Sequence, residues 1–286
     1  MRYVVAKDSR EAVALLNSGE DARLLAGGTD VLVRMKLSGE TPDLLIDIKG
    51  ISGFSDISAE AGGFRIGASV SGAEMGAHVA LKAMWPGVVE AVELIGSTQV
   101  QGRATMVGNL CNGSPAADAV PAMLAAGALA RVEGPEGTRD ILVADLLEGP
   151  GTTKLGKAEL ISSVFLPARP ARAADAYLRF IPRTEMDIAV ASAGVSLVLD
   201  GNGTVTEATV ALGAVAPTAV LVPDAAAALV GSKLGADALK AVAKACAAAC
   251  APIDDKRGTV EFRTRVAGVM ASRAAKTAYT RAGGSL

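Results

Sequence analysis

Two glycine-containing segments carry the residues that are best suited to hold a ligand. The first, LAGGTD at 25–30, follows an apolar stretch at 22–26 that predicts a strand. Successive backbone N–H groups in a turn of this kind can bind an anion such as a diphosphate. A glycine pair after a strand is more often only a turn, so this segment by itself is a weak indication of phosphate binding.

The second segment, TMVGNLCNGSPAADAVP at 105–121, is longer and more polar. It offers another glycine for close backbone approach, and side-chain oxygen and amide groups at Thr105, Asn109, Asn112, Ser114 and Asp118. Such groups suit a diphosphate and the hydroxyls of a polyol, whereas a loop stabilised by its own Asn and Asp side chains is the alternative. Two such segments in one chain favour a ligand with two phosphates and a polyol.

Several other chemistries lack their motifs in this sequence. No GxGxxG follows the first strand and no GxxxxGK[ST] occurs, which disfavours Rossmann and P-loop nucleotide sites. His78 is the only histidine and is interpreted as structural, so neither a catalytic triad nor a multi-histidine metal site is expected. The three cysteines are too few for an iron–sulfur cluster. We therefore expect no metal site and no catalytic acid–base pair.

Composition narrows the class of protein further. Half of the 286 residues are apolar but only 3% are aromatic, so small aliphatic side chains are expected to form the core. The formal net charge is -2 without a run of Lys and Arg, which argues against nucleic acid and an anionic membrane surface as partners. No segment reaches the roughly 20 apolar residues that span a bilayer. The chain is interpreted as cytoplasmic.

The first part of the chain is predicted to alternate short helices and strands. Asp8 with Glu11, and Ser71 with Glu74, have the spacing of a capping box and predict helix starts. Strands are predicted at 22–26, 44–48 and 64–68, and helices at 31–37, 86–95 and 121–130. Residues 96–115 are predicted to form one long Gly-, Asn- and Ser-rich loop, and loops of this length are usually functional.

A change in composition predicts a domain boundary at about 168–176, where ARPARAAD is typical of a linker. Beyond it, apolar stretches at 188–199 and 204–214 flank DGNG at 200–203, which predicts a hairpin. Ala-rich helices are predicted at 236–251 and 260–278. The second domain is therefore expected to be a sheet followed by helices.

The stretches LAGGTDVLVRMK at 25–36 and TMVGNLCNGSPAADAVP at 105–121 together resemble the paired flavin loops of the FAD subunits of molybdenum hydroxylases. This medium-chain family includes aerobic carbon monoxide dehydrogenase and bacterial xanthine dehydrogenase. The likeness extends over nearly the whole chain. ELISSVFLP at 159–167 resembles the strand that closes the family's FAD domain, and RFIPRTEMDIA at 179–189 and DDKRGTVEFRTR at 254–265 resemble its carboxy-terminal domain.

The resemblance implies an α+β fold in two domains. A two-lobed, vanillyl-oxidase-type FAD-binding domain would cover residues 1–170, with lobes at about 1–55 and 56–170. A small α+β domain of antiparallel sheet and helices would follow at 171–286. FAD would be bound noncovalently, and the absence of histidine from both loops agrees with this.

The resemblance also implies which residues form the flavin site. Residues 25–31 would surround the diphosphate with backbone N–H groups. Thr105, Gly108, Asn109 and Asp118 would hold the diphosphate and ribityl groups. Ile161 and Arg179 would lie near the adenine or the ring system, and a cation near the pyrimidine end of the flavin would stabilise the anionic reduced form. The expected FAD-binding residues are Leu25, Ala26, Gly27, Gly28, Thr29, Asp30, Val31, Ile95, Thr105, Gly108, Asn109, Cys111, Asn112, Asp118, Ile161 and Arg179.

The implied role is electron transfer within a complex. A large molybdopterin-binding subunit would hydroxylate the substrate, a small subunit with [2Fe-2S] clusters would relay electrons, and FAD in this chain would pass them to NAD, a quinone or oxygen. A heterotrimer that pairs into a dimer of heterotrimers is expected. Two alternatives stay open: a self-sufficient flavin-dependent oxidoreductase of the same fold, and a structural subunit that has lost FAD.

The second loop departs from the family pattern at two positions. The family's loop commonly reads GTIGGN, whereas Ala104 and Val107 stand here where glycines are usual. A β-branched residue tolerates positive φ poorly. Either the backbone at Val107 is in an ordinary region with its side chain in the core, or FAD binding is weakened.

Overall fold

Three short parallel strands form the first sheet of the computed structural model, which describes residues 1–39 and 41–285. The strand order is β1-β3-β2. In chain order the elements are β1 (Arg2–Val5), α1 (Ser9–Leu16), β2 (Ala22–Leu25), α2 (Val31–Ser38) and β3 (Leu44–Asp47). The capping prediction at Asp8 is confirmed, because its carboxylate accepts a hydrogen bond from the Glu11 N–H at 2.8 Å.

A five-stranded antiparallel sheet with order β4-β5-β10-β6-β7 forms the second unit. In chain order its elements are β4 (Ile57–Glu60), β5 (Gly63–Gly67), α3 (Gly72–Ala77), α4 (Val79–Met84), α5 (Pro86–Glu93), α6 (Thr98–Gln101), α7 (Met106–Cys111), α8 (Ala119–Ala125), β6 (Leu129–Gly134), β7 (Gly137–Leu142), α9 (Val143–Leu146), β8 (Leu147–Gly149), β9 (Thr152–Thr153) and β10 (Leu160–Leu166). The capping box of Ser71 and Glu74 is present at the start of α3, as predicted.

Two predictions in this region are wrong. The helix expected at 121–130 ends at Ala125, because Gly127 adopts a left-handed φ of +62° and β6 begins at Leu129. The Ala-rich composition favours a helix, but pairing of β6 with β7 and β10 overrides it. The loop expected at 96–115 contains the short helices α6 and α7, which are too short to give a periodic pattern.

The third sheet is antiparallel, with order β11-β12-β13-β14. In chain order its elements are β11 (Ala173–Phe180), β12 (Ala191–Leu199), β13 (Val205–Gly213), β14 (Val220–Leu221), α10 (Pro223–Leu229), α11 (Ala236–Ala248) and α12 (Val260–Arg281). The predicted hairpin is confirmed, because β12 pairs with β13 across residues 200–203. The expected order of sheet and then helices is also confirmed.

The two faces of the third sheet pack against different parts of the chain. Alternate residues of a strand point to opposite faces. Ala193 and Val195 of β12 belong to the core beneath α12. Gly194 instead faces Pro121 of α8, and the Ser196 hydroxyl accepts a hydrogen bond from Arg169 at 3.4 Å. The sheet is therefore sandwiched between its own helices and the elements that precede it.

The same packing joins the two halves of the chain, the elements β1 to β10 and the elements β11 to α12. Tyr177 and Ala211 of the third sheet, and Ala219 of the connection between β13 and β14, are buried in the same core as residues of the second unit. The α+β fold class is thus confirmed. None of the helices in residues 1–39 and 41–285 is long and apolar enough to cross a membrane.

Candidate functional site

The first predicted loop continues β2 and leads into α2. Leu25 is buried at the end of the strand, and Gly27 and Gly28 follow it half-buried. Gly28 has a φ of +81°, in the left-handed region that residues with a side chain rarely adopt. This reversal turns the chain sharply, so that α2 begins at Val31.

Residues 27–31 present a run of free backbone donors. None of their N–H groups donates a hydrogen bond to a protein acceptor within the described ranges. Helical bonding starts only with Leu32, whose N–H donates to the Gly28 carbonyl oxygen at 3.2 Å. Free N–H groups at the start of a helix carry the positive end of its dipole and attract anions. The first loop is therefore a cradle for an anionic group.

The two predicted loops lie side by side. A Cβ atom at Gly27 would overlap the carbonyl oxygen of Arg103, at the entrance of the second loop. Only a residue without a side chain permits this approach of the two backbones. Arg103 is exposed, and its guanidinium makes no ion pair with any described residue. The backbone of Arg103 therefore lies beside the first loop, and its exposed side chain carries a positive charge at the entrance of the second.

Asn112 links the loops a second time. Its side-chain amide donates to an Asp30 carboxylate oxygen at 3.2 Å, and its side-chain oxygen accepts from Arg34 at 2.9 Å. Asp30 and Arg34 belong to the start of α2, whereas Asn112 follows α7. Residues separated by about eighty positions in the sequence are thus fixed against each other.

The second loop is held from within by local hydrogen bonds. The hydroxyl of Thr105 caps α7 by accepting from the Gly108 N–H at 2.9 Å, and a Cβ at Gly108 would lie 2.8 Å from that hydroxyl oxygen. The side-chain oxygen of Asn109 accepts from the Ala119 N–H at 3.0 Å and so connects α7 to α8. The three side chains of Thr105, Asn109 and Asn112 are therefore engaged in shaping the loop.

The departures from the family pattern are structurally accommodated. Val107 lies in the first turn of α7, has no positive φ, and is only 4% exposed within the core. Ala104 is buried to the same degree. Of the two possibilities raised by the sequence, the structure therefore supports an ordinary backbone with the side chain in the core.

Asp118 connects the second loop to the third sheet. One carboxylate oxygen accepts from the Tyr177 hydroxyl at 2.7 Å, and the other accepts from Arg179 Nη1 at 2.6 Å. Burial raises the pKa of Asp118 above its ordinary value, while the Arg179 cation and the Tyr177 hydroxyl oppose this change. Burial, together with the adjacent Asp118 charge, raises the pKa of Tyr177 well above its ordinary value, so the phenol stays protonated.

Arg179 has an unsatisfied donor. Its side chain is only 5% exposed, and its Nε is buried without a hydrogen-bond partner. A buried N–H that lacks an acceptor costs roughly 1–3 kcal/mol. A ligand acceptor at this position would remove that cost.

The remaining predicted residues are distributed around these loops. Ile95 is half-buried just beyond α5, and Cys111 is exposed at the end of α7. Ile161 is buried in β10, where the register with β6 shifts. The structure thus brings 25–31, 105–112 with Cys111, and the Asp118–Arg179 pair into one region. Among the described residues, no hydrogen bond or ion pair joins Ile95 or Ile161 to that group, although both belong to the core on which α7 packs.

Sequence reasoning missed three residues of this region, Arg34, Arg103 and Tyr177. Tyr177 and Arg179 are two apart in a strand, which places both side chains on one face and could have indicated the pair. Arg103 lies two residues before the second loop in the sequence. Arg34 is one helical turn beyond Asp30, a spacing that puts the two on neighbouring positions of α2.

The arrangement suits a dinucleotide cofactor with a polyol chain. It combines an anion cradle, a close backbone approach between two loops and a buried donor without an acceptor. The residues present therefore fit FAD. The class that the site and fold define is a cofactor-binding flavoprotein.

Comparison with known proteins places this class more narrowly. Residues 1–169 match the family model for the FAD binding domain in molybdopterin dehydrogenase, and residues 176–278 match that for the CO dehydrogenase flavoprotein C-terminal domain. The carbon monoxide dehydrogenase medium chain of Afipia carboxidovorans is 35% identical over 98% of this chain and 97% of its own length. A putative xanthine dehydrogenase FAD-binding subunit of Escherichia coli is 28% identical over 99% and 98% of the two chains.

A solved structure shows the same fold. A chain of carbon monoxide dehydrogenase from Hydrogenophaga pseudoflava superposes with a TM-score of 0.93 at 35% identity, covering 98% of each chain. The chain described here belongs to the FAD-binding flavoprotein subunits of the molybdenum-containing dehydrogenases. It is therefore an oxidoreductase component, and the sequence-based assignment to this family is confirmed.

Proposed function

We propose that this chain holds FAD noncovalently between residues 25–31 and 105–118 and transfers electrons between an iron–sulfur partner subunit and an external acceptor. The observation that most supports this proposal is the run of N–H groups at 27–31 without protein acceptors. Bound FAD supplies electron-transfer chemistry that the amino-acid side chains lack. The individual FAD-binding residues, and the division into domains at 1–170 and 171–286, are part of the proposal.

Each group of residues has a defined task in this proposal. The N–H groups of 27–31 bind the diphosphate, and Arg103 adds a positive charge beside them. Gly27 keeps the second loop close enough to share the cofactor. Arg179 donates to the cofactor from its buried Nε, while Asp118 compensates its charge. The chain itself performs no bond chemistry on the organic substrate.

The proposed assembly is a complex of this chain with a large molybdopterin-binding subunit and a small [2Fe-2S] subunit. The names of the relatives support it, because two of them are medium chains of carbon monoxide dehydrogenase. The electron acceptor that we propose is NAD, a quinone or oxygen. We further propose that the heterotrimer pairs into a dimer of heterotrimers and that the complex is located in the cytoplasm. Mass measurement of the purified complex and cell fractionation test these parts.

The cofactor proposal is tested on the purified full chain. We expect a yellow protein with a flavin absorbance spectrum, and release of FAD into the supernatant on acid treatment because no covalent bond holds it. A folded, colourless chain that cannot be reconstituted with FAD would contradict the proposal and favour a structural subunit. Steady turnover of an organic substrate by the chain alone would instead favour a self-sufficient oxidoreductase.

A further inference from the structure

Tyr177 is placed to control the charge of the Asp118–Arg179 pair. The tyrosine is only 2% exposed, and its hydroxyl donates to Asp118 at 2.7 Å. The other oxygen of the same carboxylate holds Arg179 at 2.6 Å. The carboxylate is therefore fixed between a neutral donor and a cation, both of which come from β11.

Asp118 itself comes from the opposite side of the interface. It lies at the start of α8, whereas Tyr177 and Arg179 lie two residues apart on the face of β11 that meets α8. The orientation of Arg179 thus depends on contact between the third sheet and the second loop. The Nε of this guanidinium is buried without a hydrogen-bond acceptor.

We propose that Tyr177 is a positioning residue that sets the reduction potential of the bound FAD through Asp118 and Arg179. This inference rests on the proposed function. Two effects of the Tyr177 hydroxyl raise the reduction potential of the flavin. The hydroxyl fixes the carboxylate so that Arg179 keeps its orientation, and it shares the negative charge of Asp118, which leaves more of the Arg179 charge available to the cofactor.

A hydroxyl deletion tests the proposal. In Tyr177→Phe the Asp118 charge is less well satisfied and compensates Arg179 more completely, so the reduced form of FAD loses stabilisation. We expect the ratio of affinities for reduced and oxidised FAD to fall about three- to tenfold, which for a two-electron couple is a shift of about 15–30 mV to more negative potential. Redox titration of the FAD-loaded full chain, followed by absorbance, measures the shift.

Tyr279→Phe is the matched control. Tyr279 of α12 is also 2% exposed, and its hydroxyl donates one hydrogen bond, to the Gly203 carbonyl oxygen at 2.7 Å. It lies in the core between α12 and the third sheet, away from Asp118. Its substitution removes an equally buried hydrogen bond without touching Asp118. We expect a comparable loss of thermal stability from both variants but an unchanged flavin potential in the control.

Asp118→Asn gives a shift of opposite sign. Removing the negative charge leaves Arg179 uncompensated, so the flavin potential is expected to rise, whereas a general disruption of the interface would move both variants in the same direction. If Tyr177→Phe alone fails to fold, the test is made in the Asp118→Asn background, where Tyr177→Phe should add no further shift because the charge through which it acts is absent. A further lowering of the potential in the double variant contradicts the inference.

The outcomes separate this inference from the function on which it rests. A wild-type chain that binds no FAD would overturn the proposed function and the inference together. A wild-type chain that binds FAD, with an unchanged potential in a folded Tyr177→Phe variant, would overturn the inference alone. Equal shifts in Tyr177→Phe and Tyr279→Phe would also overturn it, because the effect would then come from stability.

Discussion

At the residue scale, a comparison of Gly28 with Gly39 distinguishes an effect on cofactor binding from an effect of backbone strain alone. Gly28 and Gly39 flank α2, with φ values of +81° and +71°. A left-handed backbone costs a residue with a side chain roughly 1–2 kcal/mol. A Cβ at Gly28 would lie 3.0 Å from Leu32 and 3.1 Å from Leu25, whereas one at Gly39 would meet nothing within 4 Å.

Gly28→Ala is therefore expected to weaken FAD binding by about tenfold or more, because strain and the two leucine contacts displace the N–H groups of the cradle. Fluorescence titration of the apo chain with FAD measures the dissociation constant. Gly39→Ala carries the same strain at the far end of the helix and should leave the affinity unchanged. Equal losses in both variants would show that helix stability, and not the cradle, determines retention.

Val107 is expected to be a stability residue. Its buried side chain fills the core at α7, so Val107→Gly should lower the free energy of unfolding by about 2–4 kcal/mol through the lost contacts and the added backbone freedom. Chemical denaturation measures the loss. Val79→Gly is the control, because Val79 begins α4 and is 83% exposed. Weaker FAD binding by folded Val107→Gly at full stability would contradict this role.

The residue scale also shows what the sequence could predict. The glycine pair at 27–28 is recognisable because a positive φ and a close backbone approach each demand that residue type. The bond of Asp118 to Tyr177 joins positions 59 apart, at the start of α8 and in β11, and no local pattern encodes it. For the same reason, the sequence could not show whether Val107 points into the core.

At the scale of elements, α8 and β12 meet through a residue without a side chain. A Cβ at Gly194 would lie 2.6 Å from the carbonyl oxygen of Pro121. Gly194→Ala should therefore force the sheet and helix apart and cost about 1–3 kcal/mol of unfolding free energy. Gly201→Ala, in the hairpin that follows β12, meets nothing within 4 Å and serves as the control. Equal denaturation midpoints for the two variants would argue against a tight contact here.

The elements that the sequence predicted best are those with local signals. The capping residues Asp8 and Ser71 fix helix starts by hydrogen bonds to N–H groups three residues away. The predicted helix at 121–130 is wrong at its end because Leu129 and Ala130 pair with β10, a strand that is remote in sequence. The α6 and α7 helices escaped prediction because four and six residues give too little periodicity.

At the scale of the whole molecule, a buried ion pair ties the two halves together. Arg169 lies in the connection after β10, donates to Asp175 of β11 at 2.8 Å, and stacks 4.1 Å from the centre of the Trp85 ring. The other carboxylate oxygen of Asp175 accepts from the Val88 N–H at 3.0 Å. Burial raises the pKa of Asp175, and the Arg169 charge opposes this rise. Residues of both halves therefore share one charged, buried junction.

This junction and the common core predict that the chain unfolds in a single cooperative transition. Trp85 is the only tryptophan and lies at the junction, so its fluorescence reports on the interface while far-UV circular dichroism reports on the whole fold. The two denaturation curves should coincide, and saturating FAD should move both to higher denaturant.

Asp175→Asn leaves Arg169 buried without its counter-charge and should lower the free energy of unfolding by about 3–5 kcal/mol.

Asp237→Asn provides the comparison, because it removes the same charge from a pair in which both side chains are exposed, at 3.8 Å from Lys240. Solvent screens such a pair, so the midpoint should not move. Separate transitions for Trp85 fluorescence and circular dichroism in the wild type would show that the halves unfold independently. FAD would then be expected to protect only the half that carries residues 25–31 and 105–118, whereas a cofactor held from both sides through Asp118 and Arg179 protects the chain as one unit.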